Sequence, residues 1–459
     1  MAEFEDPVLA SIREAAEAAE HSPLGFSLED VLAEGSVRRH RERPQSAHRF
    51  GVVLVAAAIL VVFFVPLPHL NLFKRLVSSP NPSPATRGSR TLAIGTRLAE
   101  LRGSDTVAGD YFGAAVAIDG NTAVVGAFDH DNDAGRAYVF SKTAHGWEQT
   151  AELKGSDTVA GDDFGVAVGI SGSTIVVGAS SYETSSAGRA YVFTKTASGW
   201  RQVAELTGPG SRPIQEHISV AISGATLVVG WNYPNSPPAP GVAWVYTNTA
   251  TGWRRSAMLR GPSTTSFGYS VAVSGSTVIV GAISAPPAQP LGVAYVFTKT
   301  VTGWRQSAKL HSPDAANAFS FGFSTAISGS TALVGSDGSA PVYVFTKTAT
   351  GWRTAAGLKG SDTVTGDGFG STLATSGTTA VVGAPESADN IGRAYLFKGT
   401  AKGWRQVAEL KGTVAQGYFG SSVAMSGATA IVGSAPSSGA GSVHVGYPVS
   451  RGLGYLFKA

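Results

Sequence analysis

Acidic residues alternate along one short segment of the chain, Asp129-His130-Asp131-Asn132-Asp133, and this spacing favours a site for a hard cation. Ca²⁺ takes six to eight oxygen ligands, which carboxylates supply. However, Gly135 comes one place late for an EF-hand-type turn, and no acidic residue follows at the spacing of a bidentate closing ligand. The segment is therefore either a metal site formed by Asp129, Asp131 and Asp133 or a solvated acidic loop.

Tryptophan followed by arginine recurs along the chain and is a second candidate for ligand binding. Repeated aromatic and arginine side chains hold sugars in some lectins, so a repeated glycan site is one interpretation. The other is structural, because a residue required at the same place in every repeat usually serves packing, with Arg covering an outer rim. The pairs are Trp200-Arg201, Trp253-Arg254, Trp304-Arg305, Trp352-Arg353 and Trp404-Arg405.

Other kinds of chemistry are poorly represented. The chain has no Cys, which excludes disulfides, thiolate zinc sites, iron–sulfur clusters and a Cys nucleophile. Motifs of zinc proteases, hydrolases, P-loop proteins and dinucleotide-binding proteins are absent, and His217, His311 and His444 have no carboxylate at informative spacing. The net charge of +3 over 459 residues is too dilute for a nucleic-acid footprint. We therefore expect that the protein is not an enzyme, that it binds no cofactor other than a weakly supported Ca²⁺, and that it has no nucleic-acid partner.

The first 96 residues predict a membrane anchor with flanking segments. Residues 1–49 form a small tail that ends in a cluster of five arginines, and residues 50–73 are uncharged and mostly apolar. A run of this length is about what the hydrocarbon core of a bilayer requires, and the preceding positive charge places the N-terminus inside. We expect a cytoplasmic tail (1–49), one transmembrane helix (50–70) and an exposed Pro/Ser linker (71–96), with the rest of the chain outside the cell membrane.

Residues 97–459 repeat one pattern seven times, with a period of about 50 residues that is typical of arrays and propellers. The glycine of the VVGA element recurs at Gly126, Gly178, Gly230, Gly281, Gly335, Gly383 and Gly433. An aromatic element follows at Tyr138, Tyr191, Trp244, Tyr295, Tyr343, Tyr395 and Tyr455.

Each repeat contains four short β-branched and aromatic runs separated by Gly/Ser/Thr turns, which we name strands A to D. This pattern predicts a four-stranded antiparallel blade. Only six D strands follow a strand C, whereas residues 97–103 (RLAELRG) match strand D but precede the first strand A. The sequence therefore predicts an all-β, seven-bladed propeller in which the N-terminal strand is the outer strand of the blade containing Tyr455, which removes exposed edges.

Phe-Gly pairs stand before strand A, and Gly-Ala or Gly-Ser ends strand B, as in Val-Val-Gly-Ala-Pro at 381–385. This pattern resembles the FG-GAP repeat of the integrin α-subunit propeller and of bacterial surface proteins. The resemblance implies a seven-bladed propeller used mostly for adhesion or ligand binding. It also implies calcium loops between strands A and B, but turns such as SGST are too short to wrap the ion. One repeat departs from the pattern, with Glu216-His217 in place of Phe-Gly.

The expected function is that of a cell-surface binding or adhesion module with a protein or glycan ligand. The alternatives are a carbohydrate-binding or carbohydrate-active propeller and a structural scaffold of an envelope complex. The B–C and D–A connections vary between repeats, and varied loops on a rigid scaffold are where recognition usually lies. We expect Trp231 and Tyr233 to be exposed hot spots there. The candidate residues are Asp129, Asp131, Asp133, Tyr182, Glu183, Glu216, His217, Trp231, Tyr233, Glu386, Asp389 and Tyr447.

Overall fold

The structure is a computed structural model. The described residues belong to one compact unit, Ala85–Ala459, and the predicted anchor lies outside them. Within those residues, no helix is both long enough and apolar enough to cross a bilayer. The described residues are 93–180, 188–209, 217–232, 241–262, 265–284, 291–314, 320–336, 341–436 and 441–445.

Twenty-eight strands form seven antiparallel sheets of four strands each within the described ranges. The first half comprises β1 (Ala99–Leu101), β2 (Ala115–Asp119), β3 (Thr122–Ala127), β4 (Arg136–Thr143), β5 (Gly146–Leu153), β6 (Ala167–Ser171), β7 (Thr174–Ala179), β8 (Arg189–Thr196), β9 (Gly199–Thr207), β10 (His217–Ser223), β11 (Thr226–Asn232), β12 (Val242–Thr249), β13 (Gly252–Arg260) and β14 (Thr265–Ser274). The second comprises β15 (Thr277–Ser284), β16 (Val293–Thr300), β17 (Gly303–His311), β18 (Ser324–Ser328), β19 (Thr331–Gly335), β20 (Val342–Thr348), β21 (Gly351–Leu358), β22 (Leu373–Ser376), β23 (Thr379–Ala384), β24 (Arg393–Thr400), β25 (Gly403–Lys411), β26 (Ser422–Ser426), β27 (Thr429–Ser434) and β28 (Ser442–Val445).

Six blades are simple meanders of consecutive strands, which confirms the predicted order A to D. Blade 1 is β2–β5, and blades 2 to 6 follow as β6–β9, β10–β13, β14–β17, β18–β21 and β22–β25. The A strands of all seven blades line one central cavity of about 210 Å³ with side chains such as Val116, Ile170, Ile222 and Val271. Strand A is therefore innermost and strand D outermost, as in a propeller.

Blade 7 is completed from both ends of the propeller. Its sheet has the order β1-β28-β27-β26, with Ala99 opposite Val445 and Leu101 opposite Val443. The prediction that residues near the start of the propeller supply its last outer strand is confirmed. Leu101 is only 2% exposed, and it packs in a cluster that also contains residues of blade 1.

The prediction that the segment around Tyr455 forms the third strand of blade 7 was wrong, because that strand is Ser442–Val445. His444 lies opposite Val432, as Tyr138 lies opposite Val125 in blade 1. Gly441 precedes this strand as Gly135 precedes strand C of blade 1. A Cβ atom on Gly441 would lie 1.8 Å from the carbonyl oxygen of Phe112, so only glycine fits there. The B–C connection of blade 7 is therefore much shorter than the sequence interpretation made it, and Tyr455 lies outside the described residues.

The phenylalanines of the Phe-Gly pairs hold neighbouring blades together. Phe112 is fully buried and lies edge-on to Tyr138 and Phe140 of the same blade, in a cluster that also contains Val443 of blade 7. Each repeat that has the pair places its phenylalanine in this way against strand C. The other five are Phe164, Phe267, Phe321, Phe369 and Phe419, and all are at most 3% exposed.

Candidate ligand-binding face

The four-stranded meander places two kinds of connection at opposite ends of each blade. The A–B and C–D turns share one end, which we name the turn face, and the B–C and D–A connections share the other, the loop face. On the turn face, the amide of Gly224 donates to Ser171 Oγ of the preceding blade at 3.0 Å, and Gly275 donates to Ser223 at 3.1 Å. The uniform Ser-Gly turns therefore serve contacts between blades.

Three aromatic rings in contact form a row on the loop face. The imidazole of His217 lies parallel to the ring of Tyr269, with centroids 4.5 Å apart and 3° between the planes. Tyr269 in turn lies 4.9 Å from Phe323. His217 is exposed, and the other two rings are half-buried. The row thus presents an aromatic surface contributed by blades 3, 4 and 5.

The aromatic row lies at the loop-face end of the central cavity. His217 begins β10, Tyr269 lies in the irregular part of β14 between Phe267 and Ser270, and Phe323 directly precedes β18, so all three lie where an innermost strand A leaves the loop face. In the other blades the residue after Phe-Gly is small or aliphatic, so the aromatic surface occupies one side of the cavity mouth. Those residues are Ala114, Val166, Ser371 and Ser421.

Sequence reasoning singled out His217 but missed Tyr269 and Phe323. Both follow a Phe-Gly pair directly, and they are aromatic in only two of the seven repeats. That departure from the repeat pattern was the available signal. This signal is easily missed, because the position belongs to strand A and not to a variable loop.

The predicted acidic loop of blade 1 is a left-handed turn that contacts blade 2. Asp131, Asn132 and Asp133 of the short element α1 (His130–Asp133) all have positive φ angles, between 56° and 63°. The carbonyl oxygen of Asp133 accepts a hydrogen bond from the amide of Asp163 at 2.8 Å, and Asp131 pairs with Arg136 at 3.1 Å. The backbone of this segment therefore has a structural role.

A second left-handed turn, α2 (Ser387–Asn390), occupies the same place in blade 6. Its residue Asn390 accepts a hydrogen bond from the amide of Tyr418 of blade 7 at 2.9 Å. Glu386 and Asp389, two predicted ligand-binding residues, are exposed on the loop face beside this turn. Their role in ligand binding stays a prediction.

The predicted metal ligands Asp129, Asp131 and Asp133 do not form a metal-binding group. Within the described parts of the chain, no three or more His, Cys, Asp or Glu side chains are grouped so that they could hold a metal ion. The left-handed backbone of α1 and the pairing of Asp131 with Arg136 account for this arrangement. The alternative of an acidic loop fits the geometry better.

A repeated octapeptide, GSDTVxGD, carries the principal polar network of the loop face and was not recognised from the sequence. It begins at Gly103, Gly155 and Gly360, in the connections that lead into blades 1, 2 and 6. In each copy the aspartate accepts a hydrogen bond from the tyrosine of strand C at 2.8 Å, as Asp105 does from Tyr138. Burial, followed by this hydrogen bond, raises the pKa of Tyr138 above its ordinary value.

Blade 1 differs from blades 2 and 6 in the charges around that aspartate. In blade 2, Arg189 pairs with the octapeptide aspartate Asp157 at 2.7 Å. In blade 1 the equivalent Arg136 pairs with Glu152 at 2.8 Å and with Asp131 instead. In blade 1, His130 lies beside Asp105, with Nε2 3.8 Å from its carboxylate, while Nδ1 of the same ring lies 2.8 Å from Asp110.

Trp231 is fully buried, contrary to the expectation that it is an exposed hot spot. It ends the VVGW run of β11, where the other blades have Ala or Ser, and its ring lies 6.3 Å from that of Trp244 in strand C. A Cβ atom on Gly208 would meet Trp231, whereas one on the equivalent Gly261 would meet Phe267. The indole therefore fills the space left by the Phe-Gly pair that blade 3 lacks.

The tryptophans of the D strands pack in the manner that the structural interpretation predicts. Trp200, for example, is half-buried against a cluster that joins Leu153 of blade 1 to Phe164 before blade 2, while Arg201 is exposed. The remaining predicted ligand-binding residues lie outside the described ranges. These are Tyr182, Glu183, Glu216, Tyr233 and Tyr447.

Comparison with known proteins supports the resemblance found in the sequence. A model described as the FG-GAP repeat matches residues 96–140, 147–193, 261–297, 304–345 and 352–397. The matched segments fall in blades 1, 2, 4, 5 and 6, and blade 3, which lacks the Phe-Gly pair, is not among them. No curated protein matches the chain. Five of the seven blades of this propeller are therefore FG-GAP repeats.

Proposed function

We propose that this protein is a membrane-anchored binding or adhesion module that presents the loop face of its propeller outside the cell. The observation that carries the proposal is the aromatic row of His217, Tyr269 and Phe323 on that face. FG-GAP propellers are generally binding modules, which agrees with this assignment. The proposed ligand is a protein or a glycan of the cell surface or its surroundings.

The chemistry of the aromatic row suits either kind of ligand. Aromatic side chains offer a large rigid contact area, and they are enriched among the residues that dominate binding energy at interfaces. Three blades hold these rings through strand β10, strand β14 and the segment before β18, so little conformational entropy is lost when a ligand binds. The polar network of the octapeptides lies on the same face in blades 1, 2 and 6, and the row lies in blades 3, 4 and 5.

The membrane anchor is the second part of the proposal. It rests on the uncharged run of residues 50–73, on the arginine cluster that precedes it and on the Pro/Ser linker that follows. Protease added to intact cells, with any outer layer permeabilised, should remove the propeller and leave residues 1–49 intact. Protection of the propeller would contradict the proposed topology.

Ligand binding is tested with residues 85–459, which contain all seven blades and the closing strand. The protein is applied to a glycan array and to solubilised envelope proteins of the host. Once a ligand is captured, we expect the double variant Tyr269→Ala/Phe323→Ala to bind at least tenfold more weakly. The matched control is Tyr418→Ala, which removes a half-buried ring of the same face outside the row.

Each outcome of this comparison assigns the ligand to a place. Loss of binding in the double variant but not in Tyr418→Ala supports the aromatic row. Equal binding by the double variant, with loss instead from changes in the C–D turns, would move the ligand to the turn face and contradict the proposal. Capture on the glycan array alone would favour the lectin alternative at the same site.

A further inference from the structure

The C–D turns form a basic rim around the turn face. Each reads Lys-Thr-x-x-Gly-Trp-Arg or a close variant, so a lysine before the tip and an arginine after it recur from blade to blade. The six turn segments together contain ten Lys or Arg residues and one acidic residue, Glu148. Blades 2, 4 and 5 carry the full pattern, as Lys195 and Arg201, Lys299 and Arg305, and Lys347 and Arg353.

These cations are exposed, and none takes part in an ion pair within the described residues. All six residues of blades 2, 4 and 5 are exposed. The ion pairs between described residues lie elsewhere, at the loop-face ends of the strands and in β1. The arginines are held at the rim by turn hydroxyls: Arg305 Nε donates to Thr302 at 3.2 Å, and Arg353 donates to Thr350 at 3.0 Å. The rim is therefore a fixed array of uncompensated positive charge.

The tips of the same turns are apolar. Val301 at the tip in blade 4 is fully exposed, at 105% of its reference area, and Ala197 and Ala349 occupy the same place in blades 2 and 5. An apolar tip between two cations suits a membrane interface, where the tip meets the acyl boundary and the charges meet headgroups. A nucleic-acid surface would offer nothing for Val301 to contact.

The described chain joins the propeller at its outer edge. Strand β1 occupies the place of strand D in blade 7, and Leu98, just before it, donates to the last residue of β28, Val445, at 3.0 Å. With only three residues, β1 corresponds to the loop-face end of a complete strand D. Before it, Gly95 lies against Ala408 and Leu410, so this segment runs along the outer strands of blades 6 and 7.

We propose that the turn face of the propeller docks on the anionic lipid surface of the membrane that carries the anchor, with the loop face directed away from it. This inference rests on the proposed function, since the anchor supplies the membrane. Each Lys or Arg near an anionic surface contributes about a fivefold gain in binding. Docking through the rim leaves the aromatic row of the opposite face accessible to ligands.

The test uses residues 85–459, which lack the apolar run, and vesicles of phosphatidylglycerol and phosphatidylcholine in equal parts. We expect binding to these vesicles, none to pure phosphatidylcholine vesicles, and loss of binding as the ionic strength rises from about 0.05 to about 0.5 M. The variant Arg201→Glu/Arg305→Glu/Arg353→Glu reproduces the residue that blade 1 has at Glu148. It should bind at least about 100-fold more weakly, because losing each positive charge alone costs about fivefold and each new carboxylate adds repulsion.

The matched control reverses three charges at the other end of the D strands. Lys154→Glu, Arg260→Glu and Lys359→Glu are changes of exposed residues on the loop-face side, and together they alter the net charge by the same amount. We expect this variant to bind the anionic vesicles like the parent. If the reversed rim variant does not fold, the milder Arg→Gln triple replaces it and should still weaken binding.

Three results would overturn the proposal: no binding to anionic vesicles at low salt, equal weakening by both triple variants, or tighter binding to duplex DNA than to vesicles. The anchor is tested separately, by extracting membranes that contain the full chain with alkaline carbonate. If the full chain resists extraction but its propeller does not bind vesicles, the proposed function stands and only the docking surface is wrong. If the propeller binds vesicles but the full chain is extracted, the docking surface stands and the proposed anchor is wrong.

Discussion

A Cβ atom on Gly126 of blade 1 would lie 1.9 Å from the carbonyl oxygen of Gly165 in blade 2. Gly126 belongs to the VVGA element and Gly165 to the next Phe-Gly pair, so the two halves of the repeat motif meet across a blade junction. The same approach recurs between Gly281 and Gly322, also at 1.9 Å. The glycines are required because two backbones come too close to leave room for a side chain.

This relationship predicts that Gly126→Ala destabilises the propeller. We expect a loss of about 3 kcal/mol in the free energy of unfolding, because the methyl group must displace a backbone carbonyl. Gly178 is the matched control, since its Cβ atom would meet side chains and no backbone, those of Ile218 at 3.1 Å and Ala167 at 3.3 Å, where blade 3 lacks the Phe-Gly pair. Urea denaturation of both variants checks the difference, and equal losses would contradict the explanation.

The burial of Trp231 predicts a stability effect where the sequence indicated a binding effect. Trp231→Ala should lower the free energy of unfolding by about 3 to 5 kcal/mol, because it leaves a large cavity between blades 2 and 3. Met258→Ala in the same blade removes a side chain that is 46% exposed, and it should change the free energy of unfolding by less than about 0.5 kcal/mol. Unchanged thermal unfolding of Trp231→Ala would show that the indole does not fill this space.

Ring closure makes stability depend on the short strand β1. Leu101→Ala should cost about 2 to 5 kcal/mol, since this side chain is only 2% exposed and packs against blade 1. Leu98→Ala, at a position that is 45% exposed, is the control and should be nearly neutral. Deleting residues 93–103 exposes the edge of β28 and should destabilise the whole domain. A truncated protein that melts like the parent would refute closure by β1.

His444 predicts an acid-sensitive component of stability. Burial lowers its pKa below the ordinary value, with Glu100 opposing and Arg97 and Arg102 adding to the shift. The unfolded chain therefore binds the proton at a higher pH than the folded protein. The stability that neutral His444 contributes is complete above the unfolded-state pKa of about 6.5, and it declines as the pH falls below that value.

His444→Tyr checks this assignment, because tyrosine occupies the equivalent position in most blades and does not titrate in this range. We expect the parent to lose stability between about pH 6.5 and pH 4.5 more steeply than the variant, as measured by urea midpoints across the range. The control is the comparison of the two proteins above pH 7, where the parent should show no pH-dependent loss from this residue. Parallel profiles throughout would assign the acid sensitivity to other groups.

Calcium is expected to have no large effect on stability. The A–B turns are too short to wrap the ion, and Asp131 of the acidic turn is paired with Arg136. A ligand that binds only the folded state raises the melting temperature as its concentration increases. A marked rise on adding Ca²⁺ to the chelator-treated protein would contradict this expectation, and Asp129→Asn, Asp131→Asn and Asp133→Asn would then test that turn.

The sequence alone determined the blades and their order. Each strand and turn is specified by a pattern only a few residues long, such as VVGA, AYVF or GWRQ, and seven copies make these local patterns unambiguous. Closure by residues 97–103 was also predictable, because the displaced AEL run matches the D strands of other repeats. Local alternation and counting sufficed for these conclusions.

Only the tertiary structure decided which residues meet across blades. Trp231 was expected on a loop, but it occupies a space that the absent Phe-Gly pair leaves empty. His444 replaces tyrosine in blade 7, and the contacting rings of His217, Tyr269 and Phe323 come from three different repeats. These contacts join residues about 50 positions apart in the chain, and their distances depend on how the blades pack. Spacing within a single repeat carries no information about that packing.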